Sequence, residues 1–267
     1  MFVIMAIGGG RLLAGIGYHT RSFLEAYGAL TVLGARAIAA TRLLPTYYRQ
    51  FARQYRRIGL NSLPLIFATS VFLGLVLGVQ IGNQIDPGTP PRVEAGLILR
   101  SVLIEMGPVV AGLVIAGRVG SAMAAEIGTM KVTEQVDALR TFGIDPVHYL
   151  VMPRVLAGTL VMPVLVVYTD LLAILSGFVS TRFTIGMTWP GFIQGMQNAF
   201  VITDVWTSLI KAVLMGAIIS LIGSFFGMRT AQGARGVGNS TTEAVVWSSV
   251  GVIVVDYVIS AGLYFVW

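Results

Sequence analysis

The chain has 267 residues, of which 55% are apolar and only 11% charged, and its mean hydropathy is +0.81. Soluble domains carry about 25% charged residues, so this balance excludes an ordinary soluble domain and makes the bilayer the fitting solvent. Cysteine is absent, which excludes disulfides, thiolate metal sites and cysteine nucleophiles; His19 and His148 have no ligand-like spacing, so no metal site is expected.

The N-terminal stretch carries much of the net charge of +6. Eight of the eighteen basic residues, Arg11, Arg21, Arg36, Arg42, Arg49, Arg53, Arg56 and Arg57, fall before position 58, and only Glu25 opposes them. A basic, aromatic-containing stretch just before a hydrophobic run reads as a cytoplasmic segment facing anionic lipid, not as a nucleic-acid surface. Met1–Ile7 is apolar with the charges following it, the reverse of a signal peptide, so cleavage is not expected. Within Thr20–Ile58, Arg36 and Arg42 would sit inside any span and Pro45 interrupts it. Two short amphipathic helices in the membrane interface fit better; a sixth span over Ala26–Ala40 is the alternative. Residues 1–60 are accordingly expected to form a cytoplasmic and interfacial region, and 61–267 a five-helix membrane domain.

Leu63–Ile81 is a run of nineteen residues without formal charge, long enough to cross a hydrocarbon core of ~30 Å as a helix. A second span is predicted from about Ala95 to Gly117. Residues 118–154 then turn charged and mixed, which predicts a segment facing water. Further spans are predicted over Val155–Val179, Val205–Phe226 and Ala244–Val266, the last preceded by a flexible Gly-rich loop, Gly227–Ser240. With the N-terminus inside, the inner segments hold fourteen Lys and Arg and the outer ones four (Arg92, Arg100, Arg182 and Lys211). The positive-inside rule selects that orientation and sends the C-terminus, with Tyr264 and Trp267 as interfacial aromatics, outward.

Gly74, Gly78 and Gly82 recur every four residues on one face of the first span, where backbones can approach closely. They mark either packing within the chain or a subunit interface. Glu105, Asp170, Lys211 and Asp256 fall inside predicted spans, each costing roughly 2.5–3.5 kcal/mol at the bilayer centre, so each needs protein or water and a partner. One cation among three acids predicts a Lys211–acid pair that fixes packing. The functional alternatives are a polar substrate path and a proton-coupled secondary carrier using these four residues. Between spans two and three, Thr133 followed by Glu134 and Asp137 marks a helix start, and Gly143 with Asp145-Pro146 marks its stop. That predicts a short helix over Thr133–Phe142, suited to docking a partner. No phosphate loop of the Gly-x-x-x-x-Gly-Lys-Ser/Thr type is present, so ATP hydrolysis is not expected on this chain.

A longer pattern runs through Glu105-Met-Gly-Pro108, Ala116-Gly-Arg118-Val-Gly-Ser-Ala, Ala125-Glu126-Ile-Gly128-Thr-Met, Val132-Thr133-Glu134-Gln135-Val-Asp137-Ala-Leu, Gly143-Ile-Asp145-Pro146 and Pro153-Arg154. Shorter matches are Gly74-Leu-Val-Leu-Gly78-Val-Gln80, Met196-Gln-Asn-Ala, Leu209-Ile-Lys211 and Asp256-Tyr-Val. Through these residues the chain resembles the MlaE/YrbE/TGD-type permease family, the membrane subunits of MCE-associated ABC lipid transporters. One departure is Ile104, where some members carry an arginine; Arg100, one turn earlier, is a candidate substitute.

The resemblance implies an all-α membrane protein: interfacial N-terminal helices, five transmembrane helices, and a cytoplasmic coupling helix between spans two and three, over about 133–142. It implies a bacterial inner-membrane location and a permease dimer, with a homodimer expected. The implied partners are a separate ABC ATPase carrying ATP and Mg, a periplasmic MCE-domain protein, a small cytoplasmic accessory subunit, and membrane lipid, with phospholipid as cargo. This chain itself is expected to hold no cofactor and to be no enzyme. Glu126, Thr133, Glu134, Asp137, Arg140 and Gly143 are then expected at the ATPase-coupling region, and Leu77, Gln80 and Glu105 along the lipid pathway.

Overall fold

The computed structural model describes residue 21, residues 24–84 and residues 90–264. Met1–Ile7, Arg11, His19, Val266 and Trp267 lie outside the described residues, as does the side chain of Tyr264. Among the described residues the chain is all helix, and five helices are long and apolar enough to cross a membrane. Residues 24–39 form α1, closed by a 3-10 turn at Ala40–Leu43. Then follow α2 (Tyr48–Gln84), α3 (Pro91–Val132), α4 (Gln135–Thr141), α5 (Val147–Ile185), α6 (Trp189–Ala199), α7 (Ile202–Arg229) and α8 (Gly233–Tyr264).

The helices outrun the apolar runs that announce them. α2 begins thirteen residues before position 61, so Arg49, Arg53, Arg56 and Arg57 ride on the first spanning helix, not on a second short helix of their own. Charge does not end α3 at Gly117 either, because Arg118 and Glu126 find partners on neighbouring helices. The water-facing segment expected over 118–154 therefore shrinks to residues 133–146. The Gly-rich loop is corrected too: α7 runs to Arg229 and α8 starts at Gly233, leaving only residues 230–232 between them. Two of its four glycines, Gly227 and Gly236, serve close approach. A Cβ at Gly227 would press on the Ile127 side chain at 2.7 Å, and one at Gly236 would strike the Ala231 carbonyl. Only Gly233, with φ of 83°, acts as a turn residue there.

α5 sits at the centre, packed on α2 along one side and α7 along the other, with α3 and α8 completing the bundle. The main core joins Ile66 of α2, Ala111 and Ile115 of α3, Met162 and Leu165 of α5, Met215 and Ile219 of α7 and Val252 of α8. A second core at the other end joins Leu77, Ala95, Ile98, Ala173 and Phe192. The short α6 belongs to this second core: Phe192 is fully buried, stacks with Trp189 and meets Phe178 edge to face. No apolar run of spanning length marks α6 in the sequence, only Thr188 ahead of Trp189-Pro190, whose hydroxyl accepts the Gly191 N–H.

With no hydrophobic drive between helices in lipid, close van der Waals contact must hold them, and small residues permit it. Gly74 and Gly78 supply it inside the chain. A Cβ at Gly74 would strike the Ala173 carbonyl and the Ser176 hydroxyl of α5, and one at Gly78 would meet Ser180 at 2.6 Å. Gly82 instead leaves room for the carboxylate of Glu94. Many hydroxyls along these helices donate to carbonyls a turn back, as Ser62 does to Ile58, Ser70 to Ile66 and Thr169 to Leu165, which satisfies them without water. The buried hydroxyls of Ser180, Ser224 and Ser248 have no such partner among the described residues. Gly74→Ala should lower stability by about 1–3 kcal/mol through overpacking. Gly117→Ala, where an added methyl meets nothing within 4 Å, should be neutral. Thermal unfolding of both variants in detergent, beside the parent, checks this.

Candidate functional site

Two groups of polar side chains stand out against the apolar bundle. The first surrounds Lys211 of α7, whose side chain has no exposed surface. Its ammonium lies 3.0 Å from Glu105 Oε2 on α3 and 2.7 Å from Asp256 Oδ1 on α8. It also donates to the main-chain carbonyl of Ile104 at 2.8 Å. Ser260 of α8 donates its hydroxyl to the other Glu105 oxygen at 2.9 Å. One cation thus ties together three spanning helices.

The carbonyl of Ile104 is free to do this for a reason visible in the sequence. In an α-helix it would accept the N–H of residue 108, and Pro108 has none. The chain answers with a π-helical turn over Val102–Met106, which widens the helix just before the proline. Glu105 projects from that turn.

Of the three intramembrane acids, Asp256 and Glu105 meet Lys211, and Asp170 does not. Asp170 lies against Gly107, which has no side chain to exclude it, and accepts the Ser208 hydroxyl at 3.2 Å. Arg100 reaches Asp204 on α7 at 3.0 Å and stays away from Glu105. The position of Ile104 therefore serves the cluster through its backbone, and Arg100 does not substitute there.

The second group lies at the α4 end of the bundle. Glu126 of α3 is held between Arg57 of α2 at 2.8 Å and Arg154 of α5 at 3.2 Å. Arg154 is nearly fully buried and also donates to the Leu150 carbonyl. Arg118 donates to the Ser62 hydroxyl at 2.6 Å. Nearby, Arg36 of α1 meets Asp145 at 2.7 Å, while the other Asp145 oxygen accepts the Val147 N–H at the start of α5. α1, α2, α3 and α5 are thus pinned together around the base of α4.

α4 itself begins later than the sequence suggests. Thr133 closes α3 and does not open α4: its hydroxyl donates back to the Thr129 carbonyl, and Gln135 donates to that same hydroxyl. Glu134 then turns the chain with φ of 60°, the one non-glycine residue with positive φ among those described. Val136 anchors α4 inward, while Glu134, Asp137, Arg140 and Gly143 are exposed and Phe142 is 80% exposed. The Asp137–Arg140 pair at 2.9 Å is open to solvent and adds little stability.

Glu126, expected with these residues, is held back on α3 by two arginines and stays one-third exposed. Leu77 is packed in the second core and Gln80 is exposed on α2, so the chain by itself does not gather Leu77, Gln80 and Glu105 into one site. The sequence reading missed Arg57, Arg118, Arg154, Ser208, Ser260 and Phe142 as participants. A charge inside a helix of small and apolar residues was the available signal for Glu126 and Arg118, since such a charge needs a partner. Among the described residues no group of three His, Asp or Glu stands close enough to hold a metal.

The family model for the MlaE permease matches residues 51–261 of this chain. That decides the lineage. The chain belongs to the MlaE permease family. A probable ABC transporter permease of Rickettsia typhi is 38% identical over 249 residues, covering 93% of this chain and 96% of that relative. The chloroplastic protein trigalactosyldiacylglycerol 1 of Arabidopsis thaliana is 36% identical over 80% of this chain and 61% of its own length. The intermembrane phospholipid transport system permease protein MlaE of Haemophilus influenzae is 30% identical over 94% of this chain and 97% of its own. The family match begins inside α2, so α1 and the turn after it lie outside it.

The Lys211 cluster of this MlaE-family permease makes a sharp stability prediction. Lys211→Met leaves Asp256 and Glu105 facing each other without their cation. The cost should be about 3 kcal/mol, the lower end for breaking a buried pair, because Glu105 is partly exposed. The triple variant Lys211→Met, Glu105→Gln, Asp256→Asn should recover most of that loss. Unfolding midpoints of the single and triple variants in the same detergent test it.

Proposed function

We propose that this ABC transporter permease moves phospholipid between the inner membrane and a periplasmic MCE-domain protein, driven by ATP and Mg bound on a separate ATPase chain. The observation that carries the reading is α4. It is a short helix turned out from α3 by Glu134, exposing acidic residues and Phe142 at the one place where four helices are clamped by charge. A partner seated on α4 would push on α3, and α3 carries both Glu126 and Glu105. Displacement at one end of α3 would then reach the Lys211 cluster about twenty residues away, or ~30 Å along the axis. The name of the Haemophilus influenzae relative, an intermembrane phospholipid transport permease, supports phospholipid as the cargo class.

In this reading the N-terminus and α4 are cytoplasmic and the C-terminus periplasmic, in keeping with the distribution of Lys and Arg. Two copies pair through the uncovered apolar faces of α2 (Phe72, Val76, Val79) and α8 (Ile253, Tyr257, Val258). Gln80 and Glu105 border the lipid path between them, and Leu77 shapes it from the core behind. A small cytoplasmic accessory subunit completes the assembly.

A second reading, a proton-coupled carrier, draws on one observation: a single lysine faces two carboxyl groups, which could share a proton. Lipid transfer in reconstituted membranes separates the two by its energy source, ATP on the partner or a pH gradient alone. For the first reading, Glu134→Lys with Asp137→Lys should reduce co-purification of the ATPase by about tenfold or more, equivalent to 1.4 kcal/mol, with membrane insertion unchanged. Undiminished recovery of the ATPase would remove α4 as the coupling element.

A further inference from the structure

An open groove of about 430 Å³ runs between α1, the second half of α7 and the middle of α8. That volume lies within the range of small-molecule sites, and the groove belongs to a single chain and shares no lining residue with the two charge groups described above. Ile218, Ile222 and Phe226 line it from α7, Val250 and Val254 from α8, and Leu30 closes it from α1. Its two charged lining residues are Arg229, which ends α7, and Glu243 of α8. The contact of Gly251 with Ile218 and Ile222 puts Glu243, eight residues nearer the start of α8, toward the Arg229 end of the groove.

The dimensions match one leaflet. From Ile218 to Arg229 is eleven residues, or ~16 Å of helix rise, and from Glu243 to Val254 is eleven more on the antiparallel neighbour. Half of a ~30 Å hydrocarbon core is ~15 Å. The deep end is closed where Gly251 lets α8 approach Ile222 and Ile218, within 3.3–3.4 Å of where a Cβ would stand. The mouth is wet: Arg229 and Glu243 are both exposed. Neither forms an ion pair among the described residues; the Arg229 guanidinium instead rests over the Phe225 ring, 4.9 Å from its centre.

We propose that this groove holds one acyl chain of a zwitterionic aminophospholipid from the leaflet on the side of the α7–α8 turn. The phosphate would pair with Arg229 and the ammonium would donate to Glu243. A purely basic mouth would select anionic lipid; one cation beside one anion matches a headgroup that carries both. The site goes beyond the proposed transport path, and its occupancy requires no ATP.

The test uses the full-length chain, in the complex in which it purifies, reconstituted in phosphatidylcholine nanodiscs. These are doped with phosphatidylethanolamine bearing a diazirine at the end of one acyl chain, and the photolabelled peptides are mapped. Labels should concentrate on 218–226 and 250–254, with or without ATP. The double variant Arg229→Gln, Glu243→Gln should lower that labelling by about tenfold. A comparison needing no variant runs beside it: the same diazirine chain on phosphatidylglycerol or diacylglycerol should label the groove far less. Wild-type labelling that misses these segments, or that is equal for all three headgroups, overturns the proposal. So does undiminished labelling of the double variant. None of these results bears on ATP-driven transfer, so the function proposed above stands or falls separately.

Discussion

Lys211 is an ammonium with no exposed surface, in a helix that is otherwise largely apolar, and the bundle is arranged so that it is not left alone. Insertion of a single such charge costs several kcal/mol, more than most individual packing contacts return. Glu105, Asp256 and the Ile104 carbonyl offset that cost only if α3, α7 and α8 are held in one register. The Asp204–Arg100 pair and the close approach of Gly223 on α7 to Gly120 on α3 accord with the same register. A small slip of α8 would separate Asp256 from the lysine, which makes the cluster a registration device as much as a source of stability.

The opposite end is built on other terms. There the charges are partly hydrated and the geometry is a clamp: Glu126 bridges two arginines from helices on either side of α3. α3 is therefore gripped by charge at Glu105 and at Glu126 and packs through apolar and glycine contacts between them. Its two π-helical turns, at Val102–Met106 and Ala116–Gly120, lie between or beside those grips. They are places where the helix can change register by a residue without losing its hydrogen bonds outright.

Much of this was legible in the residues. Runs of apolar side chains gave five spans because hydrocarbon leaves few alternatives, and the Lys211–acid pair followed from the cost of a lone buried charge. The short helix between spans two and three was visible from its flanking residues, though its start was misplaced. Thr133 has the chemistry of a helix cap at either side, and its hydroxyl turned back to Thr129. Asp170 could not be told from Asp256 without knowing which helices adjoin, since all three acids satisfy the same local pattern. The glycines of 227–238 suggested a loop because composition does not say whether a missing side chain serves freedom or closeness. Glu126 was read outward for a like reason: the distant residues Arg57 and Arg154 decide its direction, and sequence separation hides them.

Pro108 touches neither Lys211 nor any of its carboxylates, yet it supplies one of the three acceptors by withholding a donor. That acceptor is main chain, so no side-chain substitution at position 104 can abolish it. Any residue but proline at 108 would bring an amide competing with the lysine for the same oxygen. Control over the cluster's affinity for its own cation is thus encoded one turn away, at a position that a survey of contacts around the lysine would pass over.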